Sequence, residues 1–570
     1  MIAGGRSDSY IEMLSKEVNV SDEFTVSRYL LHRLKEVGIN HLFGVPGDYV
    51  LDFLDEVIAG PIQWVGTCNE LNAGYAADGY GRLNGVGAAV VTYCVGGFSI
   101  LNAVAGAYAE QVPLIVISGA PSKGRREAGA LVHHLVADYY LQLEVFRKVT
   151  VDAAMLTNPD TAPDEIDRVI CACILHKLPV YLELPADIAL APCRRPMPLP
   201  PCGSLVSDAG TLRECVEEAA ALLNEAESPV LLAGMQLHRL NLGSDTLRLV
   251  EHAEIPFATM LSSKSVLPEY HPQFIGMYQG GWSREAIRKQ VESSDCLLTL
   301  GAVMTDLDTG LFSSKLDNSR MIVVGGGRVY IHGHYYDNIQ MGDFIRALQP
   351  LMRQRSYLAS HPAEAYRMRK AFVPEEARGL TALRMYEALN NFLDDGMILL
   401  AEPGDAFCAA ADFSIEEAEN FIVQAFYSSI GYCTPAALGV ALARPGKRPV
   451  VLTGDGAFQM TAQEVSTLIR LRIPAVILLI NNDGYLVERV LHEDGPYNDI
   501  QMWDYARLPE AFGGKDFAIG VRVTTEGELQ RALETAGRTQ DRLVFIELCL
   551  PDRDCSAGLS NLGASFRKKS

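Results

Sequence analysis

The 570-residue sequence has no run of 18 uninterrupted apolar residues, so nothing in it reads as a membrane-spanning helix. The first twenty residues, Met1 to Val20, lack an apolar core and carry Lys16 and Glu17, which does not suit a secretory leader. Cysteine is sparse, twelve in all, and no two are spaced C-x-x-C. That excludes a disulfide scaffold, and the nearest pair, Cys171 and Cys173, fits neither a zinc knuckle nor a thioredoxin-like motif. Positive charge is short as well: 49 Lys and Arg stand against 70 Asp and Glu, a net charge of −21. Such a surface repels phosphate backbones and anionic lipid, which argues against nucleic-acid and membrane partners. A reduced, cytoplasmic chain is expected.

What is present is ample core material: 48% of residues are apolar and 21% charged. At roughly 100–200 residues per domain, the length predicts about three or four domains. Thr25 can cap a helix whose apolar positions Val26, Leu30, Leu34 and Val37 recur at helical spacing, closed by Gly38. A short apolar run from His41 to Val45 follows and stops at Pro46-Gly47-Asp48. The same alternation recurs to the C-terminus, with strands expected at 88–93, 113–118, 229–232, 297–300, 321–324, 397–400, 450–453 and 475–480. Alternating strands and helices imply parallel sheets covered on both faces. Proline-rich or polar stretches at 191–205 and 358–380 read as linkers. They divide the chain into an extension (1–21), three α/β domains (22–190, 206–357, 381–555) and a tail (556–570). Gly325-Gly326-Gly327 lacks the spacing of a dinucleotide fingerprint; a tight strand-to-helix turn is the plainer reading.

The stretch from Val450 to Glu488 carries the most chemistry. One apolar strand ends in Gly454-Asp455-Gly456, and a second ends in Asn481-Asn482-Asp483-Gly484. The 24 residues between, 457 to 480, suit one right-handed strand-helix-strand crossover, which brings Asp455 and Asn482 to the same edge of a sheet. A carboxylate, an amide oxygen and the Gly484 carbonyl make a hard oxygen set of the kind magnesium prefers, completed by phosphate oxygens and water. Either half alone reads as an ordinary turn; the two at this spacing read as a metal–diphosphate site.

G-D-G followed at this distance by N-N resembles the binding motif of thiamine-diphosphate enzymes. G-V-P-G-D-Y at 44–49, C-N-E-L-N-A-G-Y at 68–75, H-H at 133–134, and N-N-D-G-Y-L-V-E at 481–488 extend the likeness. Together they resemble the 2-oxo acid decarboxylase branch over residues 22 to 555. The resemblance implies three doubly wound parallel-sheet domains (pyrimidine-binding, middle and diphosphate-binding), with thiamine diphosphate and Mg2+ as cofactors. It implies non-oxidative decarboxylation of a 2-oxo acid to the aldehyde and CO2 through an ylide and an enamine. Sites would be shared across a homodimer, the usual assembly being a homotetramer.

By the same resemblance, Glu70 bonds the aminopyrimidine of the cofactor; read from the residues alone, it could instead cap the helix that follows. Asp48, His133 and His134 would relay protons, although Leu135-Val136-Ala137 replaces the threonine-leucine-glycine run common in relatives. Glu488 would assist CO2 loss or protonation, while Glu493 and Asp494 read as solvated. Ile430 would wedge the cofactor into its bent form and Ser428 would offer its carbonyl. Asp405 would help hold the diphosphate beside Asp455 and Gly456, and Ala457 stands where many relatives have serine. Leu307, Phe407, Val487 and Leu491 would face the substrate. Their size favours C4–C6 or aromatic 2-oxo acids over strict pyruvate. Two rivals share parts of this pattern. A carboligase resembling acetolactate synthase usually lacks the histidine pair and Glu488, and a non-catalytic cofactor-binding regulator or filament subunit would be expected to lose its acids first.

Overall fold

The computed structural model describes residues 24–198, 202, 205–357 and 371–567. The expected extension at 1–21 and residues 358–370 of the second expected linker lie outside them.

Each of three domains is built on its own sheet. The first holds β1 (His41–Gly44), β2 (Gln63–Gly66), β3 (Gly87–Val91), β4 (Leu114–Ala120), β5 (Asp152–Met155) and β6 (Val180–Pro185) in the order β2-β1-β3-β4-β6-β5, all parallel. The second holds β7 (Pro229–Ala233), β8 (Phe257–Thr259), β9 (Phe274–Met277), β10 (Cys296–Leu300), β11 (Met321–Gly325), β12 (Arg328–Ile331) and β13 (His334–Asp337). Its order is β13-β12-β11-β10-β7-β8-β9, and β12 and β13 run antiparallel to their neighbours. The third holds β14 (Met397–Ala401), β15 (Phe421–Val423), β16 (Arg448–Gly454), β17 (Val476–Asn481), β18 (Ala518–Val523) and β19 (Leu543–Cys549) in the order β15-β14-β16-β17-β19-β18, all parallel.

The glycine triplet is neither a nucleotide turn nor a strand-to-helix turn. It closes the β11–β12 hairpin: Gly325 pairs with Arg328, leaving a two-residue loop of Gly326 (φ +59°) and Gly327 (φ +76°). Two consecutive positive φ values are what such a tight hairpin demands.

Strand burial explains why these runs are apolar throughout rather than alternating. In the third sheet Leu400, Val451, Ile477, Leu479 and Phe545 face one core, and Leu399, Val450, Leu452, Leu478 and Ile546 face another. The first of those cores continues into the N-terminal domain through Tyr75, Ala76, Ala77 and Tyr80. There the helices Glu70–Asn84 and Cys433–Ala443 pack directly, and a Cβ at Gly79 or Gly439 would strike backbone of the opposite helix. Small residues therefore fix how closely the first and third sheets approach.

Two segments differ from expectation. Residues 556–570 are not a plain tail: they contain the helix Ala557–Arg567, whose Leu559 and Leu562 are buried. These residues recur at 559, 562 and 566, one helical face, and the run is short enough to pass for a tail. Cys171 and Cys202 are joined as a disulfide, against the expectation of a fully reduced chain. They lie 31 residues apart, a pairing that no local motif announces. No helix among the described residues is long and apolar enough to cross a membrane.

Candidate active site

β16 and β17 are adjacent and parallel, with Gly454 opposite Ile480, so Asp455 and Asn482 emerge at one sheet edge as the crossover spacing predicts. The connection is helical from the end of the strand. Asp455–Thr461 begins directly at the strand end, followed by a 3-10 turn at Ala462–Glu464 and the helix Val465–Arg470. The Asp455 carboxylate is 1% exposed. It accepts backbone N–H groups from Gly456 (2.8 Å), Gly484 (3.1 Å) and Asn482 (3.2 Å). Burial pushes its pKa up to about 6 despite those donors. A buried carboxylate whose partners are all neutral gains from a cation beside it. The Asn482 side chain is buried yet makes no hydrogen bond within the described residues, and the space around Gly454 is open where a Cβ would stand. Hard oxygens, an unspent amide and an open backbone cradle fit a magnesium-bound diphosphate.

This edge forms one wall of a cavity of 320 Å³. Gly454, Asp455, Gly456, Ala457, Asn482 and Gly484 line it, together with Asp405, Ser428 and Ile430. Leu307, Phe407, Val487 and Leu491 share the same cavity, and so does Glu488. Glu488 sits in the first turn of the helix Leu486–Leu491, and its carboxylate has no partner among the described residues. Ser428 has φ +54°, a conformation that turns the chain between Tyr427 and Ile430.

Asp405 is placed at the cavity but is otherwise engaged. Its carboxylate accepts the Tyr386 hydroxyl at 2.7 Å and the Ser556 N–H at 2.9 and 3.2 Å. It therefore ties down the start of the C-terminal helix, and any contribution to a diphosphate falls to its backbone. Asp494 is not merely solvated: it pairs with Arg489 at 3.3 Å and Arg553 at 2.8 Å. Among the cavity walls that sequence reasoning missed are Leu311, Leu559, Leu562 and Phe566, three of them from that helix.

A second group gathers in the N-terminal domain. Asp48 Oδ2 lies 2.7 Å from His133 Nε2, and the His133 ring stacks on Tyr49 with centroids 4.8 Å apart. Tyr49 Oη stands 3.4 Å from His133 Nδ1, so the ring is gripped at both nitrogens. Consecutive residues of an extended strand point to opposite sides, but His134 has φ +68°, and its ring meets that of His133 edge-on at 4.7 Å. Leu135 packs on the cluster of Tyr49, Tyr93, Cys94 and Ala120. Donor atoms of Asp48, His133 and His134 all lie within 4.8 Å of one another. Two of those donors are imidazoles, which suits proton handling more than a hard Mg2+ ion. Glu70 is the first residue of the helix Glu70–Asn84; Asn69, not Glu70, caps it by accepting the Asn72 N–H. The Glu70 carboxylate has no hydrogen-bond partner among the described residues.

The two groups do not meet within one chain. The 320 Å³ cavity is walled by residues 306 to 566, and Asp48, Glu70, His133 and His134 take no part in it.

Three family models match the chain in order: the thiamine pyrophosphate enzyme N-terminal binding domain at 24–142, the central domain at 216–349 and the C-terminal binding domain at 404–548. That succession, with the sheet-edge site above, is the architecture of a thiamine-diphosphate enzyme. Among curated relatives, an alpha-keto-acid decarboxylase of Mycolicibacterium paratuberculosis (strain ATCC BAA-968 / K-10) is 41% identical over 536 residues, covering 93% of this chain and 94% of the relative. Those of Mycobacterium ulcerans (strain Agy99) and Mycobacterium tuberculosis (strain ATCC 25618 / H37Rv) are 39% and 38% identical, covering 97% and 95% of this chain and 98% and 97% of their own. The chain belongs to the thiamine-diphosphate-dependent 2-oxo acid decarboxylase family and is a carboxy-lyase.

Proposed function

We propose that this enzyme decarboxylates 2-oxo acids with side chains longer than that of pyruvate, C4–C6 or aromatic, releasing CO2 and the aldehyde. The observation carrying this reading is the apolar wall around Glu488, formed by Leu307, Val487, Leu491, Leu559, Leu562 and Phe566. Each methylene buried there is worth about 0.8 kcal/mol, which favours longer chains.

Asp455, Asn482 and the Gly484 carbonyl would hold Mg2+, with the backbone at Gly454–Ala457 against the diphosphate. Ile430 and the Ser428 carbonyl would hold the pyrimidine half in place. The bound cofactor supplies an electron sink for the pair left by departing CO2, which no side chain offers. Glu70 holds a proton at the pyrimidine ring. The pair Asp48–His133, with His134 beside it and Glu488 opposite, moves protons at the reacting carbon. Since the cavity of one chain lacks Glu70 and the histidine pair, a second copy completes the site, in a homodimer and from it a homotetramer.

Initial aldehyde formation from pyruvate, 2-oxoisovalerate, 2-oxoisocaproate, phenylpyruvate and indolepyruvate tests the substrate class. The larger acids are expected to have the higher kcat/KM, and a preference for pyruvate by orders of magnitude would defeat the pocket argument. Glu70→Gln and Asp455→Asn should each be inactive alone. Mixed after dissociation and reassembly, the two should regain activity, because one hybrid site keeps both wild-type groups. No recovery would refute the shared site.

A further inference from the structure

The segment Thr92–Gly97 contains a backbone conformation that its sequence does not explain. Cys94 has φ +48° and ψ −68°, and the Val95 N–H bonds the Tyr93 carbonyl at 2.6 Å. This is a γ-turn of the strained hand on a residue bearing a Cβ. Strain of this sort persists only where the surroundings over-determine it.

One side chain does so. Gln142, fully buried, accepts the Cys94 N–H on Oε1 at 2.6 Å. Its Nε2 is fixed in turn by the Ser118 hydroxyl (3.0 Å), the Tyr181 hydroxyl (2.5 Å) and Glu183 Oε2 (3.4 Å). The amide cannot rotate without orphaning buried groups. Gly97 makes the approach possible, because a Cβ there would collide with Gln142 Oε1. The helix that the turn starts runs close by Glu70: the position a Cβ on Gly96 would take lies 3.3 Å from Glu70 Oε1, and Val95, the last residue of the turn, is left 54% exposed.

We propose that Gln142 is a positioning residue, which holds the strained Cys94 turn as the wall against which the Glu70 carboxylate is oriented. This rests on the role given to Glu70 above. It assigns a purpose to a buried amide whose hydrogen bonds all go to other groups of the protein.

The test exploits the strain. In Gln142→Ala the turn relaxes and Glu70 is released from its wall, so kcat should fall about a hundredfold, the cost of displacing a reacting group by about 1 Å. Thiamine diphosphate binding to the apoenzyme, measured calorimetrically with Mg2+, should stay within about threefold, since its main contacts lie on the other half-site. Adding Cys94→Gly should restore most of kcat, because glycine adopts positive φ unaided. Adding Cys94→Ala should not. Full activity in Gln142→Ala, or a loss that Cys94→Gly leaves unchanged, overturns the proposal. If Gln142→Ala does not fold, Gly97→Ala drives the amide off the turn with Gln142 still present; wild-type kcat in that variant overturns it equally. An active Glu70→Gln would instead refute the role of Glu70, and so separates that failure from this one.

Discussion

Glu110 Oε1 accepts the backbone N–H of Phe426 at 2.7 Å, joining two domains 316 residues apart in sequence. The same oxygen takes the Tyr427 N–H at 3.1 Å, and the Glu110 carbonyl accepts Arg239 Nε from the middle domain at 3.1 Å. One residue, 2% exposed, thus ties all three domains together just before Ser428 and Ile430 enter the cavity.

Replacing Glu110 by Ala should destabilise the protein through those two N–H groups, at about 1 kcal/mol each, the low end for an orphaned donor because Phe426 and Tyr427 are partly exposed. Arg82, 3.5 Å away, keeps Asp78 at 2.6 Å, but it and the neighbouring buried Arg239 would then share that one carboxylate, which adds to the loss. Glu110→Gln retains an acceptor and should lose less. Chemical denaturation checks the stability, and kcat should fall in the same order because the Ser428 turn loosens.

Glu183 gives a stability that depends on pH. Burial raises its pKa from 4.5 to about 7, against hydrogen bonds from Tyr181 and Gln142 that pull it down. Between those values the folded protein holds a proton that the unfolded chain has released. Stability therefore falls as pH rises from about 4.5 to 7 and levels off above. Glu183→Gln carries no such proton. Its Tm should exceed that of the wild type by a margin that grows across this window, and a margin constant from pH 5 to 8 would contradict the shift.

The strands and the shared sheet edge of Asp455 and Asn482 were legible because they depend on local pattern: apolar runs, turn residues, and the 24-residue spacing that delivers Asp455 to Asn482. The clustering of His133 and His134 was legible only through resemblance, since adjacent side chains converge here by a positive φ that no sequence rule places at a histidine. Gln142 and Glu110 were invisible for a related reason. Their partners lie 48 and 316 residues away, and buried polar contacts at such separations leave no periodicity to read. The disulfide and the C-terminal cavity wall escaped notice on the same ground.

Asp405 holds that wall. Its carboxylate receives Ser556 N–H and the Tyr386 hydroxyl, both buried, and the helix Ala557–Arg567 starts one residue later. Asp405→Ala should free the helix, seen as faster cleavage near residue 556 in limited proteolysis, while the cooperative unfolding of the rest changes little. Asp405→Asn keeps one acceptor oxygen and should be cleaved at an intermediate rate. Equal cleavage in all three proteins would mean that the helix is held by its apolar face alone.

A second cavity, of 310 Å³, lies behind the first, and the two share Leu307, Phe407, Cys408 and Leu562 as common walls. Leu562, 6% exposed, packs with Leu311, Leu486 and Leu559, so truncation to Ala removes part of a partition rather than a surface group. The cost in stability should be about 2–5 kcal/mol, toward the low end because the space already adjoins a void. The gain is room. With the partition opened, kcat/KM for phenylpyruvate and indolepyruvate should rise relative to 2-oxoisovalerate, by about tenfold or more if the ring enters the second cavity. Leu562→Trp should do the reverse and move preference toward pyruvate. If neither substitution changes the ratio between large and small acids, the substrate side chain does not lie against this wall, and the proposed preference for longer acids loses this part of its basis.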